Sequence, residues 1–362
     1  MLERARCTLS SLSRLKVSTV AVLALAACSS SPHGNGDGSA LADLGVHDGS
    51  VLPADGALPP DGGTLADEYP GDVGLSGDPR VVWLEDFELA SVTAILARYD
   101  DKKNPGGMTL VADKPARSGG ASSLRLTAGG TNSATDFFKK LPDHDELFVR
   151  WYVKYQASVP WHHTGVWFGG YDPATLYPNP QAGLKPNGDD RFSIAIEPVY
   201  GIGSAAARFD TYDYWMQMHS YEDMPSGAGA YYGNGLIHRN DFTLDEGSWV
   251  CIEVHAVVNP DATSGAGAVL EVWKNDQLMR SFTDAGPLGY WIKDKFCPMG
   301  SDGSECTDYP APANTVLDLQ VRSTTSLHLN YFWPQNYVTD ASTGDVQLDD
   351  MVVATSRVGC LR

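Results

Sequence analysis

The chain has 362 residues, with 26 Lys and Arg against 45 Asp and Glu, and a formal net charge of −19. Because it has neither a basic stripe nor a phosphate-binding loop, nucleic acids and nucleotides are not expected as partners. Once an export signal and a linker are set aside, the remaining length suits one large β-sandwich or barrel.

Residues 1–27 are typical of an export signal, in which four basic residues precede the apolar run 17–27. That run is too short to span a bilayer as a mature helix. The tetrapeptide at 25–28, Leu-Ala-Ala-Cys, resembles a bacterial lipobox, which implies lipidation of Cys28; ordinary signal-peptidase cleavage is the alternative. In such signals Ser29 favours the outer membrane. We therefore expect a bacterial cell-envelope or extracellular protein whose only membrane contact is its N-terminal lipid.

Residues 28–79 are predicted to form a disordered acidic linker. They contain no Lys or Arg, several prolines and four Asp-Gly pairs. The irregular spacing of these pairs lacks the pattern of an EF-hand, so calcium binding is the less favoured interpretation. A self-repelling spacer would hold the folded part away from the membrane.

The cysteines agree with export. Beyond Cys28, four remain, an even number in an oxidising compartment. Cys297 and Cys306 bracket a short loop and are expected to pair, which leaves Cys251 to pair with Cys360. Zinc binding is the alternative, but no closely spaced Cys/His set supports it, and no metal is expected.

Residues 80–362 are predicted to form one all-β domain, an antiparallel sandwich or jelly roll, acting as a monomer. Helical periodicity is scarce, and 89–99 is the best candidate for a helix. Strand-like runs separated by Gly- and Pro-rich turns recur instead, at 81–87, 122–127, 147–155, 165–168, 191–198, 214–221, 249–258, 268–273, 316–323, 327–332 and 346–354.

The stretch 147–170 carries the first candidate site residues. Its first half alternates, with Arg150, Tyr152 and Lys154 on one face of the predicted strand. Its second half contains His162 and His163 before a Gly-Gly pair, where backbone approaches a neighbour closely. A cationic strand face beside two histidines suits a binding site for an acidic sugar, although a structural strand and loop would look similar.

Two further runs place polar side chains on one strand face. In 214–221, Trp215, Gln217, His219 and Tyr221 alternate with the core-like Met216 and Met218. In 327–332, His328 and Asn330 alternate with apolar residues. Each histidine alone is more often structural than catalytic, so only the whole set indicates a carbohydrate site.

The sequence motifs of several classes of hydrolytic enzyme are absent. No paired carboxylates of a glycoside hydrolase lie on one strand, and neither a Gly-x-Ser-x-Gly elbow nor a His-Glu-x-x-His helix is present. β-Elimination of a uronic-acid polysaccharide needs a group that neutralises the sugar carboxylate, a base and an acid, which Arg, Gln, His and Tyr supply without a cofactor.

The order of segments resembles concanavalin A-like jelly-roll polysaccharide lyases, closest in layout to polysaccharide lyase family 14 and the glucuronan lyases. The resemblance covers most of 80–362 and is carried by VWFGG (166–170), YDYWMQMHSY (212–221), GSWVCIEVHAVVN (247–259), LEVWKNDQ (270–277), LHLNYFWPQNY (327–337) and QLDDMVVA (347–354). The Gly-Gly loop and the Trp-to-Trp hairpin are its more specific parts.

The resemblance implies candidate roles. The family's loop lysine falls on or next to His163, which is a departure from the pattern. Its Tyr-x-Tyr corresponds to 212–214, or is displaced to His219 and Tyr221. The run 217–219 is similar to the Gln-Ile-His strand of another alginate-lyase family on this fold.

We therefore expect a lyase for an acidic polysaccharide such as alginate or glucuronan. Arg150 or Gln217 is expected to neutralise the carboxylate, His163 or His219 to take the proton, and Tyr212, Tyr214 or Tyr221 to protonate the leaving oxygen. Substrate contacts are expected from Tyr152, Lys154, His162, Trp215, His328 and Asn330. A non-catalytic carbohydrate-binding lipoprotein and a structural envelope protein are the alternatives.

Overall fold

Apolar residues alternate with polar ones along much of the chain, and most of these segments are β-strands. The computed structural model describes residues 63–130, 133–158, 161, 163–174, 182–199, 207–221, 230–284, 288–307, 315–338 and 344–362, all within one compact unit, Asp55–Arg362. Within these ranges the named strand pairs are all antiparallel, and three helices of four or five residues are present: α1 (Leu65–Glu68), α2 (Val92–Leu96) and α3 (Ser304–Thr307). The predicted all-β jelly-roll architecture is confirmed, and α2 lies in the predicted helical stretch.

The larger sheet has eight strands. Its bounds are β1 (Val81–Glu85), β3 (Met108–Val111), β4 (Ser123–Thr127), β6 (Glu146–Tyr155), β10 (Val250–Val257), β11 (Val269–Lys274), β12 (Gln277–Phe282) and β17 (Asp345–Ala354). The order is β12-β11-β10-β6-β17-β4-β3, and β1 pairs with β17.

The second sheet has six strands in the order β2-β5-β16-β7-β8-β9. These are β2 (Asp101–Lys103), β5 (Ser133–His144), β7 (Thr164–Tyr171), β8 (Arg191–Val199), β9 (Arg208–Thr211) and β16 (Leu329–Val338). A small sheet has the order β14-β13-β15 and comprises β13 (Leu288–Ile292), β14 (Lys295–Pro298) and β15 (Thr315–Val316). Consecutive strands β5, β6 and β7 therefore alternate between the two larger sheets.

The core lies between the two larger sheets. Val149 and Trp151 of β6 and Val166 and Phe168 of β7 are all buried in it. Tyr155 connects the layers, because its ring lies 5.7 Å from that of Phe209 and its hydroxyl donates to the Thr164 carbonyl (2.9 Å). Since side chains alternate along a strand, the polar residues of β6 and β7 point away from this core to opposite surfaces of the sandwich.

Residues 63–79, here called the N-terminal strap, belong to the fold although they were expected to lie in the linker. Leu65 and Leu75 are buried against the end of β17 and Val358. The Leu65 and Ala66 amides donate to the carbonyls of Arg357 and Val358 (3.0 and 2.8 Å). The folded domain thus includes residue 63 onward rather than starting at residue 80. Two isolated leucines in an acidic, Gly-rich stretch give no strand or helix periodicity, so sequence reasoning missed this segment.

The strap covers Arg150. The guanidinium is fully buried and forms an ion pair with Asp72 of the strap. Burial disfavours the charged guanidinium, but the nearby carboxylates of Asp72 and Asp350 outweigh it and hold the pKa of Arg150 above its ordinary value. This position contradicts the expectation that Arg150 contacts a substrate carboxylate.

The neighbours of Arg150 on β6 are also held on the outer face of the large sheet. The Tyr152 hydroxyl accepts from the Leu361 amide (2.8 Å), and Lys154 pairs with Asp113 (2.6 Å). Tyr152 packs beside the Cys251–Cys360 disulfide. Tyr152 and Lys154 therefore have structural partners there, on the opposite surface from the polar side chains of β7.

Both predicted disulfides are present. Cys251–Cys360 joins β10 to the C-terminal residues across a sequence separation of 109, and Cys297–Cys306 closes a separation of 9. No helix in the described part of the chain is long and apolar enough to cross a membrane.

Removing the charge of Asp72 should destabilise the fold strongly. Asp72→Asn leaves a buried guanidinium without its partner, and we expect a loss of about 3–5 kcal/mol in the free energy of unfolding. Lys154→Gln is the matched control on the same strand, because its pair is partly exposed (23% and 43%) and should contribute less than about 1 kcal/mol. Urea unfolding measures both, and equal losses would contradict this view of Asp72.

The two disulfides should differ in their effect on stability. A longer closed loop restricts the unfolded chain more, so replacing Cys251 and Cys360 by Ala should cost about 4–5 kcal/mol, against about 2–3 kcal/mol for Cys297 and Cys306. Denaturant midpoints of the two double variants test the order. A larger loss from the shorter loop would show that native-state contacts dominate instead.

Candidate functional site

The outer face of the six-stranded sheet presents polar and aromatic side chains in three rows. The strand register aligns them across neighbouring strands. The first row contains Lys103, Asp136, Gln335, Gly165 and Glu197; the second contains Trp333, Trp167, Ala195 and Tyr212; the third contains Tyr331, Gly169, Ser193 and Tyr214. We define the candidate site as His163, Trp167, Glu197, Tyr212 and Tyr214.

Glu197 is the centre of this site. Its carboxylate accepts a hydrogen bond from the Trp167 indole (2.6 Å) and lies 3.0 Å from Nδ1 of His163. Both carboxylate oxygens are therefore engaged, which fixes the carboxylate. Gly165 allows the neighbouring strand to approach closely, since a methyl group there would lie 2.1 Å from the Ile196 carbonyl oxygen.

His163 lies at the entrance to β7 in a left-handed backbone conformation (φ 56°), which residues other than glycine rarely adopt. Burial lowers the pKa of its imidazole, but the charge and hydrogen bond of Glu197 outweigh this and leave the pKa above its ordinary value. Because Glu197 takes Nδ1, proton exchange with a substrate would use Nε2.

Two tyrosines complete the cluster. The Tyr212 ring lies 4.8 Å from that of His163 and 5.7 Å from that of Tyr214. Burial raises the pKa of Tyr214 to about 12 and that of Tyr212 further, so both hydroxyls keep their protons at neutral pH. Gly233 lies flat on Tyr212, where a Cβ would come within 2.3 Å of the ring.

A carboxyl group and an amide flank this cluster in the first row. Asp136 is fully buried, and burial raises its pKa to about 6 against the opposing charge of Lys103. Gln335 pairs in register with both Asp136 and Gly165. The face therefore combines a proton acceptor (the His163 imidazole), neutral tyrosine hydroxyls and the Gln335 amide. These are the groups that proton transfer on a polyhydroxylated substrate requires.

Tyr214 lies beside Tyr212, whose ring contacts that of His163, but the rest of 214–221 does not join this cluster. Tyr214 pairs with Ser193 at the sheet edge, after which the chain turns, with the Met218 amide donating to the Trp215 carbonyl (3.2 Å). The predicted strand is wrong, because the Trp215 indole donates to the Asp318 carbonyl (2.9 Å) and its ring stacks on Trp291.

The remaining candidates of this run have separate partners. Gln217 donates to the Gln320 side chain (3.0 Å), which contradicts its expected contact with a substrate carboxylate. His219 stacks on Trp291 with ring centroids 3.8 Å apart. Tyr221 is exposed, with the Lys293 ammonium 5.2 Å from its ring centroid. Only Tyr214 of this run enters the candidate site.

His328 and Asn330 lie at the other end of β16 from His163. His328 Nδ1 lies 2.8 Å from Asp145, and Asn330 binds both backbone groups of Tyr171 (3.0 Å each). These contacts indicate structural roles. His162 and Cys28 lie outside the described residues.

Glu197 and Trp167 were missed by sequence reasoning, although a signal for Glu197 exists. In 191–197, Arg191, Ser193, Ala195 and Glu197 alternate with buried Phe and Ile, which places Glu197 on the polar face. Trp167 gives no such signal, because an aromatic residue in a strand is typical of the core. Among the described residues, no group of three or more His, Cys, Asp or Glu side chains is arranged to hold a metal ion.

No protein-family model matches this chain, and no curated protein matches it. Its fold is similar to solved structures that include alginate lyase Aly36B (12% identity, TM-score 0.47, covering 76% of this chain and 98% of that one). A second is the PL-14 alginate lyase from Aplysia kurodai (15% identity, TM-score 0.47, covering 76% of this chain and 99% of that one). A third is endo-β-1,4-glucuronan lyase from the fungus Trichoderma reesei (12% identity, TM-score 0.37, covering 76% of this chain and 95% of that one). At these identities the likeness concerns the fold.

Replacing Glu197 should lower the pKa of His163. Glu197→Gln removes the charge that opposes the effect of burial, so the imidazole pKa should fall from above 6.5 to below it. An NMR titration of the labelled imidazole measures the change, with His255 as an internal reference. An unchanged His163 titration in the variant would contradict the pairing.

Proposed function

We propose that the chain is an exported polysaccharide lyase that cleaves a uronic-acid-containing polysaccharide, such as alginate or glucuronan, by metal-independent β-elimination. One observation carries the proposal: the imidazole of His163, held by Glu197, lies beside the protonated phenol of Tyr212, with ring centroids 4.8 Å apart. A base and an acid therefore meet on one face, as elimination requires.

In the proposed reaction Nε2 of His163 takes the proton from C5 of the uronate. The electron pair of that C–H bond forms the C4–C5 double bond, and the C4–O bond breaks. The Tyr212 hydroxyl then gives its proton to the leaving glycosidic oxygen. Tyr212 is preferred to Tyr214 because it is partly exposed, whereas Tyr214 is buried.

The carboxylate of the sugar must be hydrogen-bonded so that the C5 proton becomes acidic enough to remove. With Arg150 and Gln217 engaged elsewhere, we assign this role to the amide of Gln335, which lies in the first row next to Gly165. Glu197 is a positioning residue, because it holds the imidazole of His163 through Nδ1.

Export and lipid anchoring through Cys28 are part of the proposal. Two disulfides, which form and persist in oxidising compartments, support export. The proposal of lipid anchoring rests on the sequence at 25–28, and Cys28 lies outside the described residues. We further propose that the protein acts as a monomer.

Ultraviolet absorbance of the new double bond, conjugated to the carboxylate, tests the reaction. The full-length chain should produce this absorbance with at least one polyuronate, and His163→Ala should slow it by about 10²–10⁴-fold. The rate should rise with pH as His163 loses its proton, and Glu197→Gln should move this rise to lower pH.

His255→Gln is the matched control. His255 lies between Glu146 and Glu271 on the outer face of the large sheet, so its replacement should leave the rate unchanged. Full activity in His163→Ala would exclude this base. Retention of the chain on polyuronates without any absorbance change would instead favour a non-catalytic carbohydrate-binding protein.

A further inference from the structure

A second group of aromatic and cationic side chains lies beyond the candidate site, where the chain leaves the edge of the six-stranded sheet. Bridges between Asp213 and Asn234, and between Gly235 and Lys295, connect this edge to the small sheet. The segment 230–235 therefore lies between the candidate site and strands β13 and β14.

Segment 230–235 also runs beside 219–221. The Tyr221 amide donates to the Ala230 carbonyl (3.0 Å). Asn234 accepts from the His219 amide (2.8 Å) and donates to the carbonyls of His219 and Tyr232 (3.0 and 3.3 Å). These bonds place His219, Tyr221 and Tyr232 close together, with Tyr232 directly before the Gly233 that lies on Tyr212.

Two tyrosines of this group are open to solvent. Tyr221 is 48% and Tyr232 is 43% exposed, whereas Tyr214 of the candidate site is buried. An exposed aromatic ring gives a sugar an apolar surface to stack on, and its hydroxyl gives it a hydrogen bond. His219, which lies beside Tyr221 in the chain, stacks on Trp291 of the small sheet.

The group also contains a lysine that forms no ion pair with the described residues. Lys293 is exposed, its ammonium lies 5.2 Å from the Tyr221 ring centroid, and it forms no ion pair with the residues that the structure describes. Other lysines of this acidic chain, such as Lys154 and Lys274, are paired with aspartates. A lysine held over a tyrosine without a carboxylate can take the carboxylate of a ligand.

We propose that Tyr221, Tyr232 and Lys293 form an outer subsite that binds one uronic acid residue of the polysaccharide, at a distance from the bond that is cleaved. This inference rests on the proposed function for the identity of the substrate. The outer subsite supplies the cation that the candidate site lacks, which explains how a strongly acidic protein selects a polyanionic chain.

A subsite of this kind acts on long ligands only. With the full-length chain and a polyuronate, Lys293→Gln should raise KM about ten-fold and leave kcat unchanged, because a ground-state contact is lost. The shortest oligouronate that is cleaved should show no change. Tyr221→Ala should act in the same direction, and Lys102→Gln, at an exposed lysine of β2, is the charge-matched control.

Affinity electrophoresis in polyuronate gels, with a neutral polysaccharide as reference, separates the two proposals. Weaker retention of Lys293→Gln than of Lys102→Gln supports the subsite even if no elimination occurs, in which case only the lyase reaction fails. Elimination that depends on His163 but not on Lys293 overturns the subsite alone. Absence of both retention and elimination with polymannuronate, polyguluronate and polyglucuronate overturns both.

Discussion

Each strand of the sandwich has one side packed into a shared core, so its polar side chains reach only the outer surface of its own sheet. This constraint separates residues that are close in sequence. Arg150 and His163 are thirteen positions apart, yet β6 belongs to the large sheet and β7 to the six-stranded sheet. The Arg150 guanidinium therefore lies under the N-terminal strap, and the His163 imidazole lies beside Glu197. The residues of the candidate site therefore all come from the six-stranded sheet and its edge.

Buried charged groups have different partners on the outer faces of the two larger sheets. On the large sheet Asp72 neutralises Arg150, and both side chains are largely buried, as in a structural ion pair. On the six-stranded sheet Glu197 is paired with an imidazole, a group that can lose its proton near neutral pH. An imidazole–carboxylate pair also occurs on the large sheet, at His255, so what distinguishes the six-stranded sheet is that the His163 imidazole lies beside the phenol of Tyr212.

The strand pattern and the Cys297–Cys306 disulfide could be predicted because alternation and close cysteine spacing are local signals, and Cys251–Cys360 followed as the remaining pair. Local patterns also made His163 and Tyr214 candidates. The sheet to which each strand belongs is not a local property, so the polar faces of β6 and 214–221 were wrongly combined with that of His163. The run 214–221 alternates perfectly, but the contacts of Trp215 with Asp318 and Trp291 bend it into a turn. Glu197 was within reach of the pattern and was overlooked.

The N-terminal strap fixes the point at which the preceding chain joins the domain. That point lies on the outer face of the large sheet, because Leu65 packs against the end of β17 and Val358. The chain that precedes residue 63 therefore joins the domain on the surface opposite His163. A pull applied to that part of the chain would act first on Leu65, Leu75 and the Asp72–Arg150 pair, away from the candidate site.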